Sequence, residues 1–281
     1  MTGARSIPAD PLHKHLATSF GRVALRCATV LAFTFLLAPI AVIIPIAFSS
    51  GTFLSYPMPG LSLRWFEALM VPYPWLLALK NSFIIALAVT VLSSVLGTLA
   101  AYGFDRMQWR YKSVLAAFLV APMVVPIVVI ALATYFFFAS MGLIGSLAGV
   151  ILAHTVIAVP IVFVTITATL KGFDHNLVRA ASSLGAAPTR AFLSIVLPLL
   201  APGVLAGAIF AFITSFDEVV IALFLTGPEQ ITLPRQLYSG LRNQLDPSIV
   251  AVAVLLMAFT ILLLLALELF QSRTVKRRRR Q

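Results

Sequence analysis

From Ser113 to Leu170 the chain carries no Lys, Arg, Asp or Glu, and His154 is the one side chain in that stretch able to hold a charge. A soluble domain has no room for such a stretch, because about a quarter of its residues are charged. The stretch reads as two membrane-spanning helices joined by a turn around Ser140–Ser146. The rest of the chain follows the same rule, with apolar runs near 23–48, 81–104, 113–138, 146–170, 198–226 and 248–270. Each is long enough to cross an oily layer about 30 Å thick. Overall 60% of residues are hydrophobic and 10% charged. The expected fold is an all-α membrane protein with six transmembrane helices, since helices satisfy their own backbone groups in lipid. It divides into a tail at 1–22, a six-helix domain at 23–272 with a polar loop at 171–197, and a basic tail at 273–281.

The net charge of +11 would suit a nucleic-acid binder, but its distribution excludes that class. Six spans place both termini on one side. That side holds 16 of the 20 basic residues: four at the N-terminal end (Arg5, Lys14, Arg22, Arg26), three in 105–112, three in 169–197 and six from Arg273 onward. The opposite side has Arg64, Lys80, Arg235 and Arg242. This bias predicts cytoplasmic termini and makes the basic excess a matter of topology. The first run is longer than the apolar core of a signal peptide and follows a polar tail, so it reads as a retained span. Cys27 is the single cysteine, which leaves no internal disulfide and no cysteine metal site.

Prolines recur inside the runs, at Pro39, Pro45, Pro122, Pro126, Pro160, Pro198 and Pro202. Each removes a backbone donor and favours a kink, so the bundle is expected to be bent and able to enclose a cavity. In the loop at 49–79, Ser62 can cap a short helix carrying Leu63, Trp65, Phe66 and Leu69, either an interfacial anchor or a docking surface. Asn81 and Ser82, opening the second run, read as a helix cap. There is no Gly-Lys pair, so a phosphate-binding GxxxxGK[ST] loop is absent. HExxH, GxSxG and Cys/His metal spacings are missing too. No catalytic residue, metal ligand or cofactor is expected.

The segment Lys171–Pro198 is built with more care than a link requires. Leu177, Ala180, Ala181 and Leu184 follow i, i+3, i+4, i+7 and make one apolar face. Asp174 or Asn176 can cap the helix start. Gly185 is placed as a left-handed C-cap and Pro188 suits the first turn of a second helix. So short a helix must pack on something: the membrane surface, its own bundle, or a groove in a cytosolic partner.

In the fifth run, Asp217 and Glu218 are adjacent acids in an apolar setting. Each costs about 2.5–3.5 kcal/mol at the centre of a membrane helix. Asp217 lies about 27 Å along a helix from Leu199. Two readings stay open: a substrate path, or a structural role such as a cap. Adjacent residues diverge by about 100°, so one of the two faces a pore. An acid in the path implies a cationic substrate, and Phe216 with Phe136, Phe137 and Phe138 could attract its ammonium groups. His154 reads as a hydrogen-bonded interior residue.

Arg179-Ala-Ala-Ser-Ser-Leu-Gly-Ala186 followed by Ile195-Val-Leu-Pro198 resembles the EAA loop of the permease subunits of bacterial type I ABC importers. Ala180, Ala181, Gly185, Ile195, Leu197 and Pro198 fit that pattern, whereas Arg179 stands where the family has Glu. The resemblance implies the MetI-like permease fold, with this loop as the coupling helix seated in a cleft of the ATP-binding subunit. Its site residues would be Leu177, Arg179, Ala180, Ala181, Leu184, Gly185 and Pro188. It implies partners: a second permease, making a heterodimer, two ATP-binding subunits that bind the ATP, an extracytoplasmic substrate-binding protein and the lipid bilayer. The location implied is the bacterial inner membrane. Phe216-Asp-Glu-Val219, Thr226-Gly-Pro228 and Leu170-Lys-Gly-Phe-Asp174 resemble the spermidine/putrescine branch, so a polyamine would pass Asp217, Glu218 and Phe216. Related permeases carry opines, amino-acid derivatives, thiamine or ferric iron. An ion-coupled secondary transporter is the remaining alternative.

Overall fold

The computed structural model describes the backbone of residues 11–70, 72–243 and 247–278. Residues 1–10 of the predicted N-terminal tail and 279–281 of the basic tail lie outside the described residues. The chain forms two compact units: 69–244, and 1–68 with 245–281. No strand occurs among the described residues.

In the unit formed by the chain ends, α1 runs Pro11–Ile46 and packs against α12, Pro247–Arg278. Helix α1 begins well before the apolar run, because nothing after Pro11 breaks a helix and Pro suits a first turn. The loop after α1 closes with one antiparallel bridge between Ser49 and Leu61. Ser62 Oγ accepts from the Arg64 N–H at 3.2 Å where α2, Arg64–Leu69, begins. Arg64 donates to the Gly51 carbonyl at 2.7 Å and covers the Trp65 ring.

The other unit is built around α6, Leu147–Leu170, which packs against α3, Leu77–Arg106, and α9, Leu197–Phe216. Helix α6 is the most buried span, and Val150, Val162 and Ile166 on it are fully enclosed. Small residues set the spacing. A Cβ on Gly97 would meet Val162 at 2.7 Å, and one on Gly203 would collide with the Thr169 side chain. Membrane helices approach this closely because lipid gives them no hydrophobic drive to associate, so tight van der Waals packing must do it. Helix α6 starts at Ser146, whose Oγ accepts from the Gly149 N–H at 3.0 Å, after a turn with Gly142 and Gly145 at positive φ.

Among the described residues, four helices are long and apolar enough to span a membrane: Gly21–Ile46, Pro74–Arg106, Leu147–Leu170 and Pro188–Phe216. The expected third span is not one rod. It is α4, Lys112–Val120, with a short turn to Met123, then α5, Ile127–Ala139, set at 94° to the first part. Pro122 and Pro126 lie at that break, where each withholds a backbone donor. The sixth run lies on α12, Pro247–Arg278. The expected fifth span is also interrupted, ending at Phe216 before a separate α10, Val220–Leu225.

Candidate functional site

Two features of the 69–244 unit carry the residues singled out in the sequence. The first is the loop between α6 and α9. Asp174 Oδ1 accepts from the Asn176 N–H at 2.9 Å, so Asp174 rather than Asn176 secures the start of α7, Asn176–Ser183. His175 Nε2 lies 3.3 Å from Asp105 Oδ2 at the end of α3. Gly185, at φ +82°, ends the helix. The Ala186 N–H donates to the Ala181 carbonyl and the Gly185 N–H to the Ser182 carbonyl, both at 3.0 Å. That double closure is the Schellman arrangement. Ala187 is extended, and Pro188 opens α8, Pro188–Ala191. A π-turn at Phe192–Val196 then leads directly into α9, so 188–216 is one continuous helical run.

The apolar face of α7 divides differently from the periodic pattern. Val178 is buried and Ala181 half-buried, packed into the core beside Phe173 and Phe192. Leu177, Arg179, Ala180, Gly185 and Pro188 are exposed, and Leu184 is 89% exposed. The loop thus anchors itself through Val178, which the sequence pattern passed over, and leaves Leu177, Ala180 and Leu184 facing outward.

The second feature is the break at 217–219. Glu218 is buried, and its carboxylate caps α10. Oε1 accepts from the Val220 and Ile221 N–H groups at 2.9 and 3.0 Å, and Oε2 from the Ala222 N–H at 3.2 Å. These orphan donors of a helix start offset the cost of placing the acid among apolar groups. Asp217 is exposed, and its N–H closes the last turn of α9 on the Ile213 carbonyl. Phe216 stacks on Phe212 at 5.4 Å and meets Phe83 of α3 edge-on at 5.2 Å. The triplet at 136–138 is elsewhere, with Phe136 and Phe137 exposed and Phe138 in the core. Buried His154 of α6 reaches the break. Its Nδ1 lies 3.0 Å from Ser215 Oγ, and its Nε2 lies 3.5 Å from Glu218 Oε2. No periodicity links positions 61 residues apart, so sequence alone could not pair them.

The loop between α10 and α11, Leu233–Asn243, is fixed from several sides. Asn81 Nδ2 donates to the Glu229 and Ile231 carbonyls at 2.8 and 3.0 Å, and the Leu233 N–H donates to Ser82 Oγ at 2.8 Å. Asn81 and Ser82 are therefore not a cap: α3 begins at Leu77, after a π-turn, and places both within the helix. Arg235 donates to Thr226 Oγ1 and to the Gly227 carbonyl. Burial of its guanidinium pulls its pKa below the ordinary arginine value. Among the described residues, no three His, Cys, Asp or Glu side chains gather as metal ligands.

The spermidine/putrescine transport system permease protein PotC of Escherichia coli (strain K12) is 30% identical over 84% of this chain and 89% of its own length. The putrescine transport system permease protein PotI of the same strain is 32% identical over 81% of this chain and 83% of its own length. In shape, the chain is similar to one in the crystal structure of a bacterial ABC transporter involved in the import of the acidic polysaccharide alginate. That likeness has a TM-score of 0.68 at 14% identity and covers 96% of this chain and 99% of the other, which places the fold among ABC permeases. Residues 93–280, more than half of the chain, match the family described as binding-protein-dependent transport system inner membrane component. The chain belongs to that family: it is a multi-pass ABC importer permease, a transport subunit and not an enzyme.

Proposed function

We propose that this chain forms half of the translocation path of an ATP-driven polyamine importer in a bacterial inner membrane, with both termini cytoplasmic. The observation that carries the substrate class is the identity of about three residues in ten, over more than four fifths of the chain, to two permeases named for spermidine and putrescine. The second half is a homologous permease. Two ATP-binding subunits supply hydrolysis, and an extracytoplasmic binding protein delivers substrate at 49–79 and 226–247.

Coupling runs through 171–197. Leu177, Ala180 and Leu184 enter the ATPase cleft, with Arg179 on the rim, while Ala181 backs the helix and Gly185 and Pro188 fix its exit angle. Because α8, the π-turn and α9 are continuous, a push on the loop is delivered along the helix to the break at 217–219. Helix α6 links the same two regions: His154 is about 24 Å along it from Leu170. At the break, exposed Asp217 offsets the desolvation of an ammonium group and the face of Phe216 attracts it. Glu218, already holding three N–H groups, acts as the cap that keeps this geometry. ATP-driven closure favours one access state and product release the other, and the difference in substrate affinity between them gives direction.

The experiment is radiolabelled putrescine and spermidine uptake by cells carrying the complete transporter, comparing the native chain with Asp217→Asn, which leaves the Glu218 cap in place. Polyamine uptake lost in that variant, at normal membrane levels, supports the reading. Normal uptake in that variant removes Asp217 from the path. Failure of the native transporter to move either polyamine removes the substrate class. Purification without a co-purifying ATP-binding subunit would contradict the assembly.

A further inference from the structure

Three elements meet at one imidazole. Ser215 belongs to the last turn of α9, Glu218 caps α10, and His154 comes from the middle of α6 and is fully buried. Ser215 and Glu218 flank Phe216 and Asp217. A break between two helices has few backbone hydrogen bonds of its own: the Asp217 N–H still closes α9, and the α10 donors go to Glu218. Packing of α10 on α5 and α6 places that helix, but among the described residues no backbone hydrogen bond in the break joins it to α9. His154 reaches both sides of the break from α6. With a proton on Nε2, the imidazole points its N–H toward the Glu218 carboxylate and accepts the Ser215 O–H at Nδ1, so one rigid ring faces both sides of the break. The 3.5 Å separation from Glu218 is longer than a formed hydrogen bond, which leaves room for the two helices to shift while the ring stays between them.

We propose that His154 is a positioning residue for transport: it ties the end of α9 to the cap of α10, and so fixes how Phe216 and Asp217 are presented to the substrate. This rests on the reading of Asp217 as a substrate contact. It acts through its neighbours and touches no substrate itself.

Two measurements on the complete transporter test it. Hydrogen exchange of the Val220, Ile221 and Ala222 amides reads the break directly. Removing the polar ring that faces Glu218 frees the carboxylate to leave these donors and should speed their exchange roughly tenfold or more in His154→Leu, with His154→Gln between it and the native chain. Should the Leu variant not accumulate, His154→Gln and Ser215→Ala carry the test. Uptake kinetics with putrescine then read the consequence. His154→Gln should raise KM roughly tenfold while changing maximal rate far less. In an Asp217→Asn background the same substitution should add almost nothing, because its effect passes through Asp217.

Unchanged exchange in His154→Gln and Ser215→Ala overturns the positioning role whatever the kinetics. Faster exchange with fully additive KM effects overturns the link to Asp217. Faster exchange with an Asp217→Asn variant that keeps the native KM instead removes Asp217 from the path, and leaves His154 as the tie across the break.

Discussion

At the scale of single residues, the loop turns on Gly185. Its φ of +82° belongs to the left-handed region, which costs a residue with a Cβ roughly 1–2 kcal/mol. A β-branched side chain there also prevents the two closing bonds to Ala181 and Ser182 from forming together. Gly185→Val is expected to reach the membrane at normal levels yet lose uptake, with ATPase activity no longer stimulated by the loaded binding protein. Stimulation at the native level would separate the turn from coupling. Gly185 and Pro188 were legible because each has a local conformational demand that no other residue type meets as well. The role of Glu218 was half legible. The cost of an acid in an apolar run announces a compensating partner, but the three N–H groups that compensate it exist only because α9 stops at Phe216.

At the scale of elements, α3, α6 and α9 are held at close range by glycines facing larger side chains. Gly203→Ala would drive a methyl group into Thr169, an overpacking worth roughly 1–3 kcal/mol. The thermal transition of the purified transporter should fall, and Thr169→Ala, which removes both the hydroxyl and the methyl that face the new Cβ, should restore part of it. No change in the transition would mean that α6 and α9 can separate freely. The helical periodicity of α7 marked apolar positions but not which of them face in. Val178 and Ala181 turn toward the bundle because α7 is fixed at one end by the Asp105–His175 contact and at the other by the turn at Gly185. That choice depends on neighbours far along the chain. The bend between α4 and α5 was foreshadowed by Pro122 and Pro126, whereas its 94° size was not.

At the scale of the whole molecule, the prediction is topological. With Cys27 replaced, single cysteines placed in the 171–197 loop and in the C-terminal tail should be labelled only after the inner membrane is opened. Cysteines at 140–146 or 226–232 should be labelled from outside. Labelling of the tail from outside, and of 140–146 only after the membrane is opened, would reverse the orientation drawn from the 16 and 4 basic residues. The sequence by itself determined that this is a helical membrane protein, where its charge lies, and that a Gly-Pro-punctuated loop precedes an apolar run containing two acids. Those properties come from composition and from spacing of a few residues, where solvation and backbone conformation decide locally. Tertiary structure alone decided that Val178 anchors the loop, that Asn81 and Ser82 hold the 229–233 segment, and that His154 meets Ser215 and Glu218. Those contacts join residues many turns apart, and they are fixed by how closely α3, α6 and α9 can approach, which no single stretch of chain encodes.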